Sequence, residues 1–364
     1  MQEKSIKKIL EREIKNFFQV KQSTRLWHIP VLAALCIGTP LLVGLYFDSL
    51  KSGLLASLAG LVILYIPTSN SIVNRMTTLF ICSFGFMISC FVGLIFSFNP
   101  LVSTIVFGIF SSIVFSINLY FKTKPPASFF FILIAALAGG MPHDIKSIPE
   151  KVGLIALGTI LACTLALIYS LITKKKQEKK EGNLLPELQA KDKSSIIIES
   201  LMIGFFMFSS TLFGHLLKLQ NPYWIPISCL AVMQGATLYH IWERVFHRIL
   251  GTFLGLGLCW IVLSVTNTPL SICLTIITLQ FIIEMLIVRH YALAVIFITP
   301  MTILLAEASN PLIQDPNLLI YTRLIDISIG SLIGAIGGWF IHHEKIRFYA
   351  TNKLRNVKKS IQGK

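Results

Sequence analysis

The sequence predicts an all-α membrane protein with about twelve transmembrane helices, arranged as two parallel six-helix repeats with both termini in the cytoplasm. Three observations lead to this prediction. The 364 residues are 54% hydrophobic and only 13% charged, with a mean hydropathy of +0.73, whereas soluble domains contain about 25% charged residues. Apolar runs of about 20 residues recur along the chain, as membrane-spanning helices require. Lys and Arg concentrate at alternate ends of these runs.

The apolar runs divide the chain into five parts. The predicted spans are 26–47, 50–66, 76–98, 100–121, 126–141, 150–173, 196–219, 223–238, 245–265, 268–288, 290–306 and 320–342. The predicted parts are an amphipathic cytoplasmic segment at 1–25, a first six-span repeat at 26–173, a charged cytoplasmic linker at 174–195, a second repeat at 196–342 and a basic cytoplasmic tail at 343–364. Residues 1–25 do not have the pattern of a secretory signal, because charges of both signs precede an apolar run that is too long.

The distribution of basic residues predicts the orientation. With the N-terminus inside, 27 of the 32 Lys and Arg residues fall in cytoplasmic segments. Cytoplasmic loops carry the excess of Lys and Arg, so this ratio favours the N-in, C-in orientation and an even number of spans.

The two halves align with each other over matching spans. A shift of 169 places Arg75 on Arg244 and Pro100 on Pro269. A shift of 172 places Gly158 on Gly330 in the last span of each half. Six spans per half is an even number, so the repeats are predicted to be parallel, related by an axis along the membrane normal.

The sequence lacks the residues that several classes of function require. The net charge of +15 lies in tails, linker and short loops rather than in a patch that would bind nucleic acid. All seven cysteines lie in apolar runs without C-x-x-C spacing, so neither disulfides nor a metal site are expected. Zinc-protease, serine-hydrolase and Walker motifs are missing, so no enzyme activity and no cofactor are predicted.

Basic residues at the cytoplasmic ends of two corresponding spans are candidates for binding an anionic substrate. Arg244 and Arg248 are four residues apart and share one helix face. Two guanidinium groups there would attract and orient a carboxylate, and Arg75 would be their counterpart in the first half. The alternative is topological, because arginines at cytoplasmic helix ends also obey the positive-inside rule.

Glu284, near the cytoplasmic end of the tenth predicted span, is the candidate for proton coupling. Ionisable groups inside membrane spans are costly and usually functional. The alternative is an ion pair with Arg244, Arg248 or Arg289 that would hold the helices together.

Short or proline-interrupted spans occur at matching positions of the two halves, namely the second and eighth and the fifth and eleventh. Such pairs are the best sequence indication of a transporter's binding site. Gln234, Ser228 and Thr299 would add hydrogen bonds there, while harmless proline kinks are the alternative. Trp27, Tyr223 and Trp224 are expected to be anchors at the membrane interface.

Several segments resemble the fusaric acid resistance (FUSC) family of membrane proteins. They are 221–226 (NPYWIP), 243–252 (ERVFHRILGT), 289–294 (RHYALA), 299–300 (TP) and, in the first half, 124–127 (KPPA). The family includes aromatic acid exporters of bacterial inner membranes and is distantly similar to plant aluminium-activated malate transporters, in which two six-span subunits pair. The resemblance implies that Arg244 and Arg248 match the two arginines of the family's Arg-x-x-x-Arg-x-x-Gly-Thr motif.

The resemblance and the residues together predict a multi-pass protein of the bacterial cytoplasmic (inner) membrane that exports small organic anions, aromatic carboxylates first, coupled to protons. The predicted partners are the anionic substrate, protons and membrane lipids, and a homo-oligomer stays open. A passive anion channel is the first alternative. A non-transporting membrane scaffold, with basic tails that dock partners or anionic lipids, is the second.

Overall fold

The computed structural model describes residues 26–68, 71–173, 193–235, 237–307, 316–343, 348–349 and 351–353. The predicted N-terminal amphipathic helix and most of the linker and tail lie outside these residues. The helices of the first half are α1 His28–Tyr46, α2 Leu50–Ala59 with a 3-10 turn Gly60–Tyr65, α3 Ile72–Ile95, α4 Pro100–Phe121, α5 Phe129–Gly139 and α6 Ile148–Ile172. Those of the second half are α7 Lys193–Leu216, α8 Trp224–Met233, α9 Leu238–Val265, α10 Pro269–Leu286, α11 Tyr291–Glu307 and α12 Pro316–His342.

The chain is an all-helical membrane protein, as the sequence predicts. Eight helices of the described part are long and apolar enough to cross a membrane, namely α1, α3, α4, α6, α7, α9, α10 and α12. The other four, α2, α5, α8 and α11, are shorter apolar helices. They are the four that the sequence marks as short or interrupted. The helix α7 begins at Lys193, three residues before the end of the predicted linker.

Local sequence explains where the helices begin. The Asn99 side chain accepts from the amide of Leu101, and Pro100 occupies the first helical turn of α4. In α10, Thr268 and Ser271 form a reciprocal capping box. These residues satisfy amides that would otherwise remain without a partner at the helix start.

The same helix pairs are in contact in both halves. In the first, α2 packs on α6, α3 on α5 and α3 on α6; in the second, α8 packs on α12, α9 on α11 and α9 on α12. Between the halves the contacts are reciprocal, because α4 packs on α7 and α10 packs on α1. Each half therefore places its fourth helix against the first helix of the other half.

Close glycine contacts bring the short helices against the last helix of each half. A Cβ on Gly158 would collide with the carbonyl oxygen of Ala56, and one on Gly330 would collide with that of Ile225. The two glycines aligned in the sequence thus make the same contact in the two halves. Small residues permit such close backbone approach between membrane helices.

We expect Gly158→Ala to destabilise the protein, whereas Gly153→Ala on the same helix should be neutral or slightly stabilising. A Cβ at position 158 meets the backbone of α2, and one at position 153 meets nothing within 4 Å. The cost of overpacking is about 1–3 kcal/mol, while alanine is the better helix former. Thermal melts of both variants in detergent measure the difference; equal melting temperatures would contradict the close contact.

Candidate functional site

The structure contains a cavity of about 1900 Å³. Helices of both halves line it, including all four short helices α2, α5, α8 and α11. Small-molecule sites usually enclose about 300–1,000 Å³, so this cavity has room for an organic molecule together with water. Its lining includes both apolar side chains and polar groups. The two halves contribute different charged residues to this lining.

Six of the seven residues that the sequence analysis proposes for substrate binding or proton coupling line this one cavity. They are Arg75, Gln234, Arg244, Arg248, Glu284 and Thr299. Ser228 lies behind the wall, where it is fully buried and contacts Arg248.

Arg248 is the most constrained of the basic residues. Its side chain is 7% exposed, yet its hydrogen bonds go only to neutral hydroxyl groups. Nη2 donates to Ser228 Oγ at 3.2 Å, and Nη1 donates to Tyr291 Oη at 3.5 Å. Nε has no acceptor, and no acidic side chain of the described residues pairs with this guanidinium. A buried cation without a counter-ion is expensive, so the site is suited to an anion.

Arg244 lies one helical turn before Arg248, near the same tyrosine. Its guanidinium carbon is 5.3 Å from the centroid of the Tyr291 ring, and its Nη1 donates to the carbonyl of Ala231 at 2.9 Å. Tyr291 therefore contacts both arginines, one through its ring and the other through its hydroxyl. The contacts hold the two guanidinium groups together at the wall of the cavity.

Glu284 is 5% exposed and lies one helical turn after Gln280 on α10. The Gln280 amide donates to Glu284 Oε1 at 3.2 Å. The amide contact fixes the carboxyl group beside the cavity without supplying a positive charge.

The first half contributes Arg75 to the same cavity. Its Nη1 donates to Ser170 Oγ at 3.5 Å and to Thr173 Oγ1 at 3.4 Å, both on or next to α6. The guanidinium carbon lies 5.9 Å from the centroid of Tyr169. Arg75 and Arg244, which align in the sequence, thus both lie over a tyrosine ring at the cavity wall.

The remaining predicted residues occupy the cavity wall less distinctively. Thr299 is buried and its hydroxyl donates to the carbonyl of Val295, so it is already engaged. Gln234 is half-buried at the end of α8.

The prediction that Trp224 anchors the membrane interface is wrong, because the indole is 3% exposed and lies beneath Arg323. Trp27 is 71% exposed, as an interfacial residue would be.

Sequence reasoning missed three residues of the site. Gln280 was detectable, since a polar residue four positions from Glu284 in an apolar helix shares its face. Tyr291 lies in the segment that carries the family resemblance, but only the structure shows its double contact. Trp224 gave no usable signal, because an aromatic residue at a helix start is more often interfacial.

Comparison with known proteins finds a family resemblance for most of the second half. Residues 208–337 match the family model described as fusaric acid resistance protein-like, which covers α8 to α11 completely, most of α12 and only the last part of α7. The membrane protein YvaC of Bacillus subtilis (strain 168) is 32% identical over 169 residues, which is 46% of this chain and 26% of YvaC. The match thus spans about a quarter of that relative's length. No solved structure matches the chain.

The family match contains Arg244, Arg248, Gln280, Glu284 and Tyr291, the residues whose geometry sets the polar wall of the cavity. The resemblance that the sequence predicts is therefore confirmed over residues 208–337 of this α-helical membrane protein, which are similar to the fusaric acid resistance protein-like family.

Proposed function

We propose that the protein is a secondary exporter of small organic anions, aromatic carboxylates first, across the bacterial cytoplasmic membrane, and that export is driven by protons. The observation that carries this proposal is the buried guanidinium of Arg248 in the cavity wall, held by neutral oxygens alone. A carboxylate that enters the cavity supplies the missing counter-charge. Charge-assisted hydrogen bonds from Arg to a carboxylate are short, strong and often bidentate.

The proposed layout has twelve spans in two parallel repeats, with both termini in the cytoplasm. The recurrence of the same helix pairs in each half, and the reciprocal contacts of α4 with α7 and of α10 with α1, support it. In this orientation Arg75, Arg244 and Arg248 lie toward the cytoplasmic end, where an exported anion enters. Lipids would contact the apolar side chains on the outside of the helices.

Apolar walls next to the arginines suit an aromatic substrate. Phe129, Phe130 and Leu133 of α5, together with Tyr291 and Val295 of α11, line the same cavity. An aromatic carboxylate would place its ring among these side chains and its charged group at Arg244 and Arg248. Aromatic contacts of this kind add about 0.5–1.5 kcal/mol beyond the area they bury.

Glu284 is the proposed proton carrier. A buried carboxyl group at the cavity wall can bind a proton from one side and release it to the other as access alternates. Its hydrogen bond from Gln280 keeps it in place in either state. Inward movement of protons would drive outward movement of the anion.

The proposal is tested by export from proteoliposomes loaded with radiolabelled benzoate, 4-hydroxybenzoate or salicylate. We expect efflux of at least one of them to accelerate when the outer side is made acidic. Protein-free liposomes at the same gradient give the background due to diffusion of the neutral acid. Efflux equal to that background for all three acids would contradict the aromatic carboxylate as substrate.

A passive anion channel is the second candidate. Lining residues run from Lys51 at the beginning of α2, through the 3-10 turn, to Ile66 and Pro67 just beyond it, as a continuous passage would require. A channel needs the arginines but no proton carrier, so its flux would not respond to the pH gradient. The scaffold alternative depends on the tails, most of which lie outside the described residues.

A further inference from the structure

Thr252 is a buried polar residue of the cavity wall that the proposed binding site does not yet include. It lies on α9 four positions after Arg248, is 1% exposed, and lines the same cavity. Residues four apart in a helix lie on one face, so Arg244, Arg248 and Thr252 form a polar stripe along α9. Thr252 is the member of this stripe that lies farthest from the beginning of the helix.

The hydroxyl group of Thr252 differs from those of other buried helical threonines in this protein. Those of Thr104, Thr211 and Thr299 each donate to the carbonyl four residues earlier in their own helix. Thr252 makes no such bond, and its Oγ1 has no hydrogen-bond partner among the residues that the structure describes. Buried hydroxyl groups usually have a partner, because leaving one without any costs free energy. The Thr252 hydroxyl can therefore bind a polar group of a molecule in the cavity.

Arg248 supplies a second buried donor one helical turn away. Its Nη2 donates to Ser228 and its Nη1 to Tyr291, but its Nε has no acceptor in the described part of the chain. Nε is the guanidinium nitrogen nearest the backbone, and the Thr252 side chain is short, so both donors lie close to the surface of α9. The Cβ atoms of helical residues four apart are about 5–6 Å from each other, a separation that the two oxygens of one carboxylate can bridge.

We propose that Thr252 is a second donor to the substrate carboxylate, which binds with one oxygen at Arg248 Nε and the other at the Thr252 hydroxyl. This inference rests on the proposed anion transport, and it places the carboxylate one helical turn beyond Arg244. Both donors are buried, so the carboxylate binds them after small side-chain rotations in surroundings that exclude water. A charge-assisted hydrogen bond is stronger in such surroundings than in water. Arg244 attracts the anion from the preceding turn.

The Thr252→Val variant is expected to change substrate affinity and stability in opposite directions. Valine keeps the branched shape but lacks the hydroxyl, so the half-saturating benzoate concentration in counterflow should rise about tenfold. The melting temperature in detergent without substrate should stay the same or increase, because a methyl group replaces a buried hydroxyl that has no partner. A hydroxyl with a purely structural role would give the reverse result, namely a lower melting temperature and unchanged affinity.

Three further variants complete the experiment, which uses counterflow of radiolabelled acids in proteoliposomes. Thr104→Val is the matched control, since Thr104 is fully buried, donates to its own helix and does not line the cavity; its affinity for benzoate should be unchanged. Thr252→Ser keeps the hydroxyl and should restore most of the affinity that Thr252→Val loses. Thr252→Ala also removes the hydroxyl, and it is judged by the same affinity criterion if Thr252→Val does not reach the membrane.

Benzoate and 4-hydroxybenzoate should lose affinity for Thr252→Val to the same extent, because the two acids share the carboxylate. A loss confined to 4-hydroxybenzoate, or unchanged affinity for both acids, would overturn the carboxylate contact of Thr252 while leaving anion transport intact. The same holds if Thr252→Ser binds benzoate no more tightly than Thr252→Val. Absence of counterflow of both acids in the unaltered protein would overturn the proposed function as well.

Discussion

The Arg248→Met variant is expected to lose transport of aromatic carboxylates while keeping its fold. Methionine fills similar space but cannot pair with a carboxylate, and loss of a buried charged contact usually costs about 2–5 kcal/mol of binding. The half-saturating concentration of benzoate should therefore rise at least roughly 30-fold. Stability should stay the same or increase, because a buried cation with only neutral partners is replaced by an apolar group.

Two measurements on the same purified variant separate these effects. Counterflow in proteoliposomes reports substrate binding, and the melting temperature in detergent reports stability. Arg289→Met is the control, since Arg289 is a half-buried arginine that does not line the cavity. A variant that melts normally and still transports with unchanged affinity would show that Arg248 does not bind the anion.

Glu284→Gln is expected to abolish export driven by a pH gradient while leaving exchange of substrate at equal pH. Glutamine keeps the size of the side chain and its contact with Gln280, but it cannot carry a proton. Gradient-driven benzoate efflux from proteoliposomes should fall to the level of protein-free liposomes, whereas counterflow at a single pH should remain.

The control for this variant is Glu199→Gln. Glu199 is also a buried carboxyl group, 5% exposed, and accepts from Ser195, but it does not line the cavity. Its replacement should leave gradient-driven efflux unchanged. Full gradient response in Glu284→Gln would favour a different proton carrier, whereas flux that ignores the pH gradient in the unaltered protein would favour the channel.

Most of the helices could be predicted from sequence because their cause is local. Runs of apolar residues determine membrane helices, and prolines and capping residues such as Pro100 and Thr268 mark their starts. The short helices could be predicted for the same reason. Helix ends were less predictable: α8 stops at Met233, five residues before the predicted end, where the chain turns toward α9.

The candidate site was predictable only where charge stands out in an apolar context. Arg244, Arg248 and Glu284 are conspicuous in membrane spans, and all three line the cavity. Contacts between distant segments, such as Tyr291 with two arginines or Arg323 with Trp224, depend on how helices far apart in sequence pack. Spacing along one helix does not contain that information.

The two halves differ in chemistry at aligned positions. With the shift of 169, Leu79 occupies the place of Arg248 and Phe115 occupies the place of Glu284. The first half thus has the same helix contacts but only one arginine of the group, Arg75. In the proposed function the second half would make most of the substrate contacts, and the first half would complete the wall around them.

The reciprocal contacts of α4 with α7 and of α10 with α1 also limit how the protein can move. These four long helices interlock the halves at two opposite places, where Gly108 lies against Gly204 and Gly38 against Ile277. Rigid separation of the halves would break both contacts at once. In the proposed transport cycle the two contacts would act as pivots, and the opening and closing of the passage would fall to the short helices.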